Sequence, residues 1–117
     1  MIGSSRAVKV WARAAPTDLR KGFYGLYELV RSRLERDPLS GDLYLFVNRR
    51  RTSAKVLLWD GTGLCVYAKK LERGRFAKLW DGEEGRPLSL TRSELALFLE
   101  GTKLAGKLPL SPREMSL

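Results

Sequence analysis

"VLLWDGTGLCVYAKKLERGRF", residues 56 to 76, holds the residues whose types most suggest chemistry. A Gly-rich loop, Asp60-Gly61-Thr62-Gly63, carries a carboxylate between two apolar runs, the lone cysteine follows at Cys65, and clustered cations close the stretch. A phosphate-cradling reading needs a Gly-rich loop that leads from a strand into a helix N-terminus, where aligned N–H groups meet the anion. Here Leu64 to Ala68 has strand character, and no GKT or GKS lysine follows. Asp-Gly between two β-rich runs is instead a strong hairpin signal, because Gly61 tolerates positive φ and Asp60 can accept hydrogen bonds from the turn.

The remaining carboxylates do not assemble a catalytic site along the chain. Two-metal phosphoryl chemistry needs several acidic groups converging on one place, whereas Asp18, Asp37, Asp42, Asp60 and Asp81 each fall in a cap or turn context, and Glu83 with Glu84 reads as a solvated pair in a loop. The chain has no histidine, so the usual neutral-pH general base and the commonest metal ligand are missing. Cys65 has no histidine to activate it and, within an apolar run, reads as a small buried hydrophobe. No catalytic residue, metal ligand or cofactor is expected.

Positive charge is the stronger signal. Twenty-two Lys and Arg against 13 Asp and Glu leave a net charge of +9 in 117 residues. Such a balance draws polyanions over a Debye length, with nucleic acid ahead of anionic membrane as partner. The cations cluster at Arg20 and Lys21, at Arg49, Arg50 and Arg51, and at Lys69, Lys70, Arg73 and Arg75. These nine are the expected DNA contacts, with Tyr67 or Phe76 as rings able to stack on a base, although core packing suits both rings better.

The elements that would position them follow from periodicity. "AVKVWAR" from Ala7 reads as a strand. Thr17 reads as the N-cap of a long helix with Asp18 in its first turn and an apolar stripe of Leu19, Phe23, Leu26, Val30 and Leu34. In that frame Arg20 and Lys21 oppose the helix dipole, which suggests either a phosphate site at the helix start or two cations pointing into solvent. Strands at residues 42–47, 54–59 and 64–71, joined by "NRRRTS" and the DGTG, predict an antiparallel meander, with the triple arginine and the segment after Lys69 at one end of the sheet and DGTG at the other. Thr91-Arg92-Ser93-Glu94 reads as a capping box opening a short second helix that ends at Gly101.

The fold expected is therefore α+β: an antiparallel β-meander with an N-terminal strand, packed against a long N-terminal helix and a short C-terminal helix. Residues 1–102 are expected to form one domain, with an irregular tail at 103–117 that contains Pro109 and Pro112. Both faces of the strands are apolar, so the face not covered by the first helix needs the second helix, the tail or a partner protein. Homo-oligomer formation stays open at this point. Single cysteine usage suits a reducing compartment, and the absence of a signal-like or spanning apolar stretch predicts a cytoplasmic protein without a membrane partner.

"APTDLRKGFYGLYELV", "DPLSGDLYLFVNRRR", "KVLLWDGTGLCVYAKKLERGRF" and "LTRSELALFLEG" resemble, in order and spacing, the TnpB or second-open-reading-frame family of accessory proteins of insertion-sequence-66-type bacterial transposons. The resemblance runs from about Val8 to Gly101. Matching positions include Pro16, Thr17, Asp18, Arg20, Lys21, Gly22, Phe23 and Gly25, then Trp59, Asp60 and Gly61, then Leu71 to Phe76. "AKLW" and "GTKLAGK" depart from the family pattern. The resemblance implies a protein encoded beside a separate DDE-type transposase and needed for efficient transposition, with no agreed active-site residues to carry over. The combined expectation is a non-enzymatic accessory protein that binds DNA through a basic surface and assists the transposase. The alternatives are a protein-interaction adaptor that docks on the transposase without touching DNA, and, least favoured by the scattered carboxylates, a metal-dependent nuclease.

Overall fold

The computed structural model describes residues 7–101. Five strands form one sheet, β1 (Val10–Ala12), β2 (Leu43–Val47), β3 (Ser53–Trp59), β4 (Leu64–Lys70) and β5 (Leu88–Leu90), with two helices, α1 (Phe23–Ser32) and α2 (Arg92–Glu100). The strand order is β4-β3-β2-β1-β5.

The expected antiparallel meander is corrected to a mixed sheet. β2, β3 and β4 pair antiparallel in succession, through Leu45↔Val56 and Val56↔Tyr67 for example, but β1 pairs parallel with β2, through Val10↔Leu43 and Ala12↔Leu45. A parallel neighbour cannot be reached by a tight turn, so the chain between β1 and β2 must cross one face of the sheet. α1 lies on that crossover. β5 then pairs antiparallel with the free side of β1, Trp11 opposite Ser89.

The expected long N-terminal helix is also corrected, because α1 has 10 residues and begins at Phe23. Thr17 is not its N-cap. Its N–H donates to the Val47 carbonyl at 2.8 Å, prolonging the parallel pairing beyond β1, where the Arg13 N–H already donates to Leu45 at 3.0 Å. Thr17 is buried, and the segment Pro16 to Lys21 is bound to the end of the sheet before the helix can start. Gly22 is the N-cap and offers no side-chain oxygen. At the other end the Leu34 and Arg36 N–H groups donate to Leu29 and Val30 carbonyls, and Glu35 takes positive φ, so the chain unwinds before Pro38.

Strand alternation sorts the core into two layers. Leu26, Val30 and Leu34 pack with Tyr44, Phe46 and Leu57 on one face. On the other, Val10, Ala12, Leu45, Val47, Ala54 and Val56 meet Phe76, Leu79, Leu95 and Phe98. The second face is therefore covered by α2 and by the irregular segment 71–80, whose Phe76 stacks on Phe98 with ring centroids 5.1 Å apart. Phe23 departs from the expected buried stripe and is 48% exposed. The expected tail at 103–117 lies outside the described residues.

The capping box of α2 forms as read: Thr91 Oγ1 accepts from the Glu94 N–H at 3.0 Å, and the Glu94 carboxylate accepts from the Thr91 N–H at 2.7 Å. Gly101 ends the helix at φ 58° and ψ −179°, a region open almost only to glycine. A Cβ there would lie 2.5 Å from Leu71 Cδ1. Gly101→Ala is therefore expected to cost about 1–3 kcal/mol in urea denaturation, while Gly85→Ala, where an added Cβ meets nothing within 4 Å, stays within about 0.5 kcal/mol.

Candidate nucleic-acid interface

Because β1 and β2 are parallel, the segments that follow them leave the sheet side by side. The antiparallel β3 begins, and β4 ends, at that same end. Residues Pro16 to Arg20, Asn48 to Arg50, Thr52 and Ser53, and Lys70 with Leu71 line an open groove of about 1120 Å³ there. Four of the nine expected contacts, Arg20, Arg49, Arg50 and Lys70, are thereby brought into one concavity.

The four differ in how free they are. Arg49, Arg50 and Lys70 make no side-chain hydrogen bond or ion pair among the described residues. Arg20 is exposed but paired with Asp18, Nη2 to Oδ2 at 2.7 Å, while its own N–H donates to Asp18 Oδ1 at 3.0 Å. The Arg20 guanidinium and N–H hold the Asp18 carboxyl well below the ordinary carboxylate range. Within the groove this pair is nearly neutral, so the uncompensated charge is on the other three.

The remaining five positions divide. Arg51 is turned inward: at φ 61° its carbonyl accepts from the Phe76 N–H at 2.7 Å, and its Nη1 donates to the Phe76 carbonyl at 3.1 Å. Lys69 reaches across to α2 and donates to the Leu99 carbonyl at 2.6 Å, where a cation also favours the helix C-terminus. Both therefore hold the fold. Arg73 and Arg75 are exposed on the loop after β4, at the same end of the sheet but outside the groove lining. Lys21 is exposed just before α1, so neither it nor Arg20 stands in the helix's first turn as expected. Gly25 leaves room for its stem, since a Cβ on Gly25 would sit 2.8 Å from Lys21 Cβ. The Lys21 carbonyl accepts from Lys55 Nζ at 3.1 Å, which ties this segment to β3.

The rings also fall differently from expectation. Phe76 is fully buried and unavailable for stacking, whereas Tyr67 is half exposed on β4. Phe23 and Tyr24, at 48% and 80% exposure, are the aromatics that sequence reading missed. A signal for Tyr24 was present, since it stands off the Leu26, Val30, Leu34 stripe. Phe23 stood on it, yet as the first residue of α1 it is half exposed.

Several of the carboxylates are engaged in the fold. Asp42 Oδ1 accepts from the Lys9 N–H at 3.0 Å, and Asp37 Oδ1 from the Leu39 N–H at 2.9 Å. Glu84 is not the solvated group expected, because Arg13 grips it with two hydrogen bonds of 3.0 and 3.1 Å and Arg33 approaches to 3.7 Å. Among the described residues no group of three or more His, Cys, Asp or Glu side chains could hold a metal. Asp60 closes the DGTG turn, its Oδ1 accepting from the Thr62 and Gly63 N–H groups at 2.8 and 2.9 Å and from Thr62 Oγ1 at 3.0 Å. Those donors lower its carboxyl from 3.8 to about 2. Cys65, half-buried rather than buried, donates to Asp60 Oδ2 at 3.5 Å, and burial together with that carboxylate pushes its thiol up, away from thiolate reactivity.

The fold is thus a small mixed sheet with two helices and a basic groove at the carboxyl ends of its two parallel strands. The chain belongs to the family described as IS66 Orf2 like protein, which matches residues 8–108. That family is an accessory family of insertion-sequence transposition, and membership associates the chain with the IS66 transposon. Two relatives come from Sinorhizobium fredii (strain NBRC 101917 / NGR234). Uncharacterized protein y4hO is 37% identical over 101 residues, covering 86% of this chain and 86% of the relative. Uncharacterized protein y4jC is 34% identical over 101 residues, covering 86% and 85%. No solved structure matches the chain. No described helix is long and apolar enough to cross a membrane.

Arg51→Ala is expected to destabilise the fold by about 1–2 kcal/mol in urea titration, through loss of a charged donor to a carbonyl, whereas Arg49→Ala and Arg50→Ala change stability by less than about 0.5 kcal/mol. For Asp60 the lowered carboxyl sets the sign: its ionised form adds stability above the ordinary value of 3.8, and that contribution fades as pH falls through about 2. Asp60→Ala should thus lower the urea midpoint at pH 7, and the gap from the parent should close between about pH 4 and pH 2.

Proposed function

We propose that this protein is a non-enzymatic accessory factor of transposition that binds DNA through the basic end of its sheet and assists a separate transposase of the same element. The observation that carries the reading is the groove in which Arg49, Arg50 and Lys70 stand without acidic partners among the described residues. Lys21, Arg73 and Arg75 extend the same positive end, and the net charge of +9 supplies the long-range attraction. Arg51 and Lys69 act behind this surface, fixing the loops from which the free cations project.

Family membership supports the transposition setting, and the described carboxylates form no cluster of the kind a metal-dependent nuclease needs. The adaptor alternative rested on an apolar sheet face in need of a partner. That support is removed, because α2 and the 71–80 segment cover the face.

The test is a salt series of binding to a labelled duplex, read by fluorescence anisotropy. Affinity should fall steeply with salt, and changing Arg49, Arg50 and Lys70 together to Ala should reduce the slope of log affinity against log salt by about 2 to 3. Changing Lys9 and Arg92 to Ala, at the opposite end of the sheet, should have the smaller effect. A flat salt response, or no binding of either duplex or single-stranded DNA at low salt, refutes the proposal.

A further inference from the structure

We infer that the groove accepts unpaired rather than duplex DNA, with the exposed rings of Phe23 and Tyr24 as stacking platforms for bases. The inference rests on the DNA-binding reading above and names the form of DNA that the same surface takes.

The groove lining separates two kinds of surface. Pro16, Leu19 and Leu71 contribute apolar walls, and Arg49, Arg50 and Lys70 contribute unpaired cations. A duplex presents phosphates outward and keeps the faces of its bases stacked inside, so apolar walls at a phosphate-binding surface find nothing to match. A single strand presents both parts at once: a phosphate backbone for the cations and base faces for the apolar walls.

The rings extend the same pattern. Tyr24 at 80% and Phe23 at 48% exposure stand in the first turn of α1, three and four residues beyond the groove residue Arg20. Chain geometry keeps them within roughly 10–14 Å of it. Lys21 lies between, exposed and making no side-chain hydrogen bond or ion pair among the described residues, with the Asp18 carboxylate near enough to feel its charge. Rings interleaved with cations along one path are the composition of a single-strand binding surface, where each stacked base contributes without regard to its identity.

The polar amide and hydroxyl groups of the lining are partly committed to the fold. The Asn48 amide is used internally: its Oδ1 accepts from the Thr52 and Ser53 N–H groups at 2.9 and 3.0 Å, and its Nδ2 donates to Thr52 Oγ1 at 3.3 Å. Thr17 is buried and accepts from Arg13 at 3.3 Å.

The experiment compares a labelled single strand with a duplex of equal length, by anisotropy at fixed salt, for the full chain and its Tyr24→Ala, Tyr24→Phe and Phe23→Ala variants, with thermal denaturation run on each. The single strand should bind more tightly than the duplex. Tyr24→Ala and Phe23→Ala should each weaken single-strand binding at least about fivefold and leave the duplex unchanged, while Tyr24→Phe, which keeps the ring, binds as the parent does. A duplex bound as tightly as the single strand, or a folded Tyr24→Ala variant with unchanged single-strand affinity, overturns this inference and leaves the DNA-binding reading standing. Failure to bind either DNA overturns both. Loss of transposase co-purification in Tyr24→Ala with single-strand binding intact makes the rings a protein-docking site and likewise overturns the inference.

Discussion

Pairing β1 parallel to β2 obliges the chain to cross the sheet between them, and nearly everything at the basic end of the molecule follows from that obligation. The crossover carries α1, which covers one apolar face with Leu26, Val30 and Leu34. It also makes the segments after both strands emerge at the same end. Had β1 run the other way, Pro16 to Arg20 would leave at the DGTG end, and the loop at Asn48 to Arg51 would face solvent without a second wall. Hydrogen bonds from Arg13 to Leu45 and from Thr17 to Val47 continue the parallel pairing past β1, holding that wall against the sheet.

A second constraint acts from the other face. A sheet apolar on both sides must be covered twice by a short chain, and α2 alone does not span the second face. Segment 71–80 completes the cover without regular structure, so its backbone groups need partners from outside a helix or strand. Arg51 supplies two of them to Phe76, and Lys69 caps the far end of α2 at Leu99. The cover is thus fastened with residues that look, in sequence, like three- and two-residue basic clusters. Each cluster is divided by its own strand or loop geometry: Arg49 and Arg50 project while Arg51, in positive φ, turns inward. Lys70 faces the groove while Lys69, one residue earlier on the strand, points to the opposite face.

These divisions mark where sequence reading succeeded and where it stopped. Alternation in β2, β3 and β4, the DGTG turn and the Thr91 to Glu94 capping box were legible because each is a local pattern with a local physical cause. The direction of β1 was not, since a strand of three residues has no crossover or register signal of its own. The same brevity hid β5 in Leu88-Ser89-Leu90. Thr17-Asp18 imitated a helix start because a Thr or Asp oxygen can cap free N–H groups in any turn. Here Asp18 accepts from Arg20 in a tight turn, and the Thr17 N–H is drawn to Val47. That choice between helix and sheet end is made by tertiary packing. It delays α1 by several residues, which moves Arg20 and Lys21 out of the helix and lifts Phe23 off the core.

The delayed helix start also bears on what the site can do. A helix begun at Thr17 would have placed Phe23 in the stripe and buried it against the sheet, leaving a basic surface with few exposed rings. Starting at Phe23 instead puts two exposed aromatic side chains in the first turn, directly after a cationic segment fastened to β2 and β3. Water-exposed rings of this size contribute little to stability, because burial is what makes an aromatic side chain favourable. Tyr24, at 80% exposure, therefore contributes little to the fold, and a polar residue there would serve the helix as well. An anionic partner with flat faces would cover such rings and meet the cations beside them, which is the surface the single-strand inference assigns.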